Sequence, residues 1–150
     1  MADFRTAFRT NFLAVITGDS TLTDLLGNGA SSVFYALPAE TAQYPCMAYM
    51  VTGMTPEGPL TPRTPYILAI DLEIHARNPN DGDDIQGALE TLIEGDSFAE
   101  QTLSDSDVTV LSLDMVGDWD FSLDPRHLAR SQVVEIRTLS IAAKICPTPA

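Results

Sequence analysis

His75 and His127 are the side chains best suited to proton transfer in a chain whose 150 residues hold only two histidines. His75 stands between Glu73 and Arg77 on what reads as the polar face of a strand, where a solvated histidine is the plainer expectation than a catalytic base. His127 follows Asp124-Pro125-Arg126 in a loop. Catalysis there requires a nucleophile such as Ser122 held against the ring, so a pairing with an acidic neighbour or a subunit contact is expected instead. Asp81, Asp83 and Asp84 have the composition of a calcium loop but lack the later glycine and closing glutamate of an EF-hand, and a turn with a helix cap explains them. Asp114, Asp118, Asp120 and Asp124 fall on or beyond a strand end, where carboxylates meet water. Gly27-Asn28-Gly29 precedes a strand instead of joining strand to helix, so it is no phosphate loop. Cys46 and Cys146 lack partners at metal-ligand spacing; two unreactive thiols are expected, with a disulfide between them as the alternative. No catalytic set, metal site or cofactor is expected.

Composition narrows the partners. The chain has 21 acidic against 8 basic residues, a formal net charge of −13, with 45% hydrophobic residues. Duplex binding needs clustered cations to neutralise phosphates, and no basic run exists. The apolar runs are too short to cross a bilayer, and the N-terminus lacks a secretory signal, so a soluble, cytoplasmically made protein is expected. A chain of this length suits one domain spanning 1–150, with roughly 70% of its unfolded surface buried.

The elements that must position these residues are legible from periodicity. Phe4, Phe8, Phe12 and Val15/Ile16 predict an amphipathic helix over about 3–17, capped by Asp3 and ended by Gly18 in a left-handed conformation. Ser20 or Thr21 then caps a helical turn carrying Leu22, Leu25 and Leu26. Strands are predicted at 33–37 and, after Pro45, at 46–51. The proline density of 53–65 argues against any regular ladder and predicts a protruding extended arm or open hairpin. Leu68, Ile70, Leu72, Ile74 and Ala76 alternate with polar neighbours, the signature of a strand with one wet face. A turn over 78–82 leads to a helix capped by Asp83, with Ile85, Leu89, Leu92 and Ile93 as its stripe. Residues 96–107 read as polar and mobile. A strand from Val108 to Val116 slips phase at Val110-Leu111, which predicts a bulge, and a last strand over about 131–144 changes phase after Ile136. Pro147 and Pro149 predict a loose tail from about 145. The sum is an α+β domain: a mostly antiparallel, twisted sheet with two main helices on one face and a protruding Pro-rich arm.

The order and spacing of these elements over residues 3–143 resemble the tail-terminator or tail-completion family of long-tailed phages and gene transfer agents, also described as tail-to-head joining proteins. The resemblance rests on the opening helix and Leu22 to Gly27 turn, Val33-Phe34-Tyr35 leading into Leu37-Pro38, and Tyr44-Pro45-Cys46-Met47-Ala48-Tyr49. It continues through the strand Ile70 to Ala76, the helix Asp84 to Glu94, and terminal strands joined through Pro125-Arg126-His127. It implies a structural virion protein in the tail or neck, assembled in the host cytoplasm as a hexameric ring. Such a ring caps the tail tube, meets a head-connector or neck protein, and lets DNA pass without specific binding. The arm would then reach a neighbouring subunit or the tube through Met54, Glu57, Leu60 and Arg63, and Asp81, Asp83, Asp84, Asp118 and Asp120 are the candidates for an acidic lumen that repels phosphate. Three alternatives are another neck or head-completion protein, a small acidic hydrolase using His127 with Ser122 or a nearby Asp, and a monomeric binding module.

Overall fold

The computed structural model describes residues 3–95, 103–130 and 132–149. Helix α1 (Phe4–Gly18) starts at Asp3, whose carboxylate accepts from the Arg5 backbone N–H, and buries Phe8, Phe12 and Ile16 on one stripe. Each of these side chains contributes roughly 1.5–3 kcal/mol by leaving water. Gly18 keeps an ordinary helical φ rather than a left-handed one, because Asp19 ends the helix in extended backbone. The same Asp19, not Ser20 or Thr21, caps α2 (Ser20–Thr23) by accepting from Leu22 N–H. Strand β1 (Val33–Tyr35) follows a short 3-10 turn.

Five strands form one sheet in the order β1-β2-β3-β5-β4, in which β2 (Cys46–Pro56), β3 (Tyr66–Ala76), β5 (Glu135–Pro147) and β4 (Val108–Leu123) pair antiparallel with one another in turn. β1 runs parallel to β2, because residues 36–45 carry the chain back to the start of β2 instead of turning in a hairpin. That return passes close to Gly27, whose N–H donates to the Pro45 carbonyl at 2.8 Å. A Cβ at position 27 would lie 2.9 Å from backbone atoms of Gln43 and Tyr44, so glycine is required there. Helix α3 (Pro79–Glu94) begins five residues earlier than a cap at Asp83 suggests, since Asn78 is the cap and Pro79 its first residue, where a missing N–H costs nothing.

α1 and α3 pack on one face, and their stripes meet Met47, Tyr49, Leu68, Ile70, Leu72, Leu139 and Ile141 in a single core. β5 keeps strict alternation along its length, contrary to the expected change of phase. The inward slot at position 137 is filled by arginine, which masks the pattern, while Val134 lies before the strand. The prolines of 53–65 do not prevent a ladder: β2 pairs with β3 out to Pro56 opposite Tyr66, with a bulge between Val51 and Gly53, and only 57–65 form the hairpin tip. Proline is tolerated at Pro56 because it ends the strand. The tail is also held, since Pro147 pairs with Val108, and the Thr148 hydroxyl donates to the Asp105 carbonyl and bonds Thr109. Residues 96–102 of the segment expected to be mobile lie outside the described residues. Its remainder is anchored, with Leu103 fully buried and the Asn11 amide donating to both the Leu103 carbonyl and Asp105.

Candidate assembly surface

β4 is the feature most suited to contact with another chain. It is an edge strand of 16 residues, paired with another strand on one side only, and on the other side residues 104–105 bond its backbone at Val108 and Val110. Leu111, Met115, Val116, Phe121 and Leu123 are exposed along it, with Val116 at 53% and Phe121 at 57% of full exposure. Folded proteins guard such edges with lysine, proline or bulges. β4 carries no lysine, arginine or proline; its guards are Asp114, Asp118 and Asp120 and bulges at Leu111 and at Gly117–Trp119, which leave the apolar side chains between them exposed. Gly117 takes φ of +76°, which places the second bulge at a residue free of Cβ strain. The opposite edge, β1, has three residues.

The arm offers a second surface. Glu57 accepts from Lys144 at 2.6 Å, and the Thr64 hydroxyl donates to the Pro59 carbonyl and closes the tip on itself. Met54 lies on the paired part of β2 and is exposed beside Arg5, while Leu60 and Arg63 stand in solvent at the tip.

The acidic candidates fall into two groups linked through Arg137. Asp83 bridges to Arg137 at 2.7 Å, and the Arg137 guanidinium lies 4.7 Å from the Phe121 ring on β4. Asp81 lines a hollow with Tyr44 and Arg77, and Asp84 is exposed on α3. Asp114, Asp118 and Asp120 are exposed as expected, yet they lie within β4 and not beyond it, because the strand continues to Leu123.

The far face of the sheet holds a cluster that single-residue reasoning misplaces. His75 is 1% exposed, not solvated, because the segment Asp124 to Leu128 folds over that end of β3. Its Nε2 lies 2.9 Å from Glu73, and its Nδ1 has no hydrogen-bond partner among the described residues and sits 3.9 Å from Asp124. Asp124 is buried, contrary to the solvated expectation. Burial alone would raise its pKa, but hydrogen bonds and charge from Arg126 outweigh that and hold the carboxyl below its ordinary value. Asp124 also caps the short helix α4 (Pro125–Leu128). His127 meets the Tyr44 hydroxyl at 2.6 Å through Nε2 and Gln132 at 3.2 Å through Nδ1.

Both ring nitrogens of His127 are thus engaged by groups other than Ser122, which stands exposed on β4. Cys46, opposite His75 in the ladder, has its thiol pushed up to about 12 by burial and stays protonated. The cluster ties α4 and the loop at Tyr44 to the sheet and presents no activated nucleophile among the described residues. Cys46 and Cys146 are free, and the ladder puts them at opposite ends of the sheet, Cys46 level with His75 and Cys146 next to the residue paired with Tyr66. The nine-residue separation on β3 is roughly 30 Å, which no disulfide spans.

No family model and no curated protein sequence matches the chain. A solved structure does. A chain from the virion of a native gene transfer agent particle superposes with a TM-score of 0.63 at 12% identity, covering 96% of this chain and 95% of that one. At this identity the likeness is one of fold, and it spans nearly the whole of both chains.

Sequence reasoning missed Arg137, and it read His75 and Asp124 as solvated where the structure buries both. Arg137 is 4% exposed and bonded to Glu135, Asp83, Gln86 and the Pro79 carbonyl. Burial would lower its pKa, but Glu135 and Asp83 outweigh that and raise it. One signal was available: Gly82 lies in the first turns of α3, and a Cβ there would stand 2.9 Å from Arg137 Nε, so a helix glycine marked a close approach.

Proposed function

We propose that this protein is a structural component of a virion of the phage or gene-transfer-agent kind, and that it works by assembly. The observation that carries this reading is the end-to-end likeness of fold to a chain from a gene transfer agent virion. The long apolar edge of β4 supports it independently, because such an edge is a liability in a monomer and an asset in an assembly.

The narrower reading is a tail terminator: a ring of six copies that caps the tail tube, joins it to the head connector and lets DNA through. Closure of a ring needs a heterologous interface, and β4 and the arm are two different surfaces for it. Asp118 and Asp120 are the strongest lumen candidates, since they are exposed at the second bulge of β4 and form no ion pair among the described residues. An acidic wall would keep phosphate from sticking during passage. Particles made without this protein, viewed by electron microscopy, are the test. Overlong tails support the terminator, whereas normal tails on leaking heads replace it with a head-completion role.

A further inference from the structure

The tip of the arm and the groove between α2 and α3 are complementary. Leu60, at 72%, is the most exposed large apolar side chain among the described residues. Arg63, three residues on, is exposed and forms no ion pair among them, whereas four of the eight cations of this acidic chain are paired. The groove has a volume of about 560 Å³ and is lined by the apolar Leu25, Ala88 and Leu92 and by the carboxylates of Asp19 and Asp84. No basic residue lines it among the described residues.

We propose that Leu60 of one copy seats in the α2–α3 groove of a second copy, with Arg63 against Asp84 and Asp19. The occupant is a second copy because the arm cannot reach its own groove. The tip extends beyond Tyr66, whereas α2 lies at the other end of the sheet, where Gly27 bonds Pro45 and the following Cys46 pairs with His75. Nine residues of strand, roughly 30 Å, separate the two ends. Such a head-to-tail contact is heterologous, so it can close a ring by rotation. Leu60 supplies the apolar anchor, and the charges set the register, since an arginine facing two carboxylates favours this groove over any uncharged one.

This rests on the proposed self-assembly, and the experiment separates the two. Native mass spectrometry of the purified full chain is compared with the variants Leu60→Asp, Arg63→Glu and Asp84→Arg, and with the double variant Arg63→Glu/Asp84→Arg. All three positions are exposed, so melting temperatures should stay close to wild type. The expected result is a closed oligomer for the wild type and monomer for each single variant. The charge-reversed pair should recover at least tenfold tighter association than either charge variant alone. An oligomer unchanged by Leu60→Asp and Arg63→Glu overturns the arm-in-groove contact and leaves self-assembly standing. A wild type monomeric at every concentration overturns both, as does a double variant no tighter than the singles for the contact itself.

Discussion

Arg137 is a cation set into the apolar face of the sheet, held by two carboxylates, an amide oxygen and a backbone carbonyl. Arg137→Ala leaves Glu135 half-buried without its partner and opens a void under α3. We expect a loss of about 2 kcal/mol, read as a lower thermal midpoint. Gly82→Ala should cost about 1 kcal/mol in the same measurement, because the added methyl meets a guanidinium that several bonds hold in place. Asp124 makes an acid-dependent contribution. Its folded pKa lies below the ordinary value of 3.8, so its charge stabilises the fold above that pH, and the contribution is lost as pH falls through the folded pKa. Asp124→Asn should therefore be less stable than wild type at neutral pH, with the gap closing below about pH 4. A constant gap across that range would remove Asp124 from this role. None of these three positions is apolar, which is why a search for hydrophobic periodicity passes over them.

At the scale of elements, the amphipathic pieces were legible and their ends were not. α1, β3 and the stripe of α3 follow from spacing alone, because one buried face imposes its period on the residues. The extension of β4 to Leu123 was illegible, since an edge strand with a bulge needs no alternation to stay paired. That edge gives a prediction of its own. Val116→Lys should change folding stability by no more than about 0.5 kcal/mol and abolish contacts made through β4. Thermal melting with native mass measures both. Assembly that tolerates the lysine places the interface elsewhere. For the arm, Pro56 pairs with Tyr66, so replacing 57–65 by a two-residue turn should preserve the domain. If the arm makes the proposed subunit contact, assemblies should then fail to form, as scored by electron microscopy.

For the whole molecule, the net charge of −13 sets long-range behaviour: it favours solubility and repels nucleic acid. If DNA passes through the assembly, Asp118→Asn with Asp120→Asn should leave particle number unchanged and reduce DNA delivery per particle, measured by transduction against a particle count. Equal delivery would detach these acids from the lumen. The sequence by itself determined the α+β class, the helix stripes, the alternating β3, the bulge at Leu111 and the acidic surface. These are properties of short windows, where period, caps and charge act locally. Only the tertiary structure decided that β1 is parallel, that the hairpin ladder reaches Pro56, that Arg137 sits inside, and that Asp124 covers His75. Each depends on groups distant in the chain: burial of a polar residue is affordable only where partners from other elements complete its hydrogen bonds, and spacing along one segment carries no record of them.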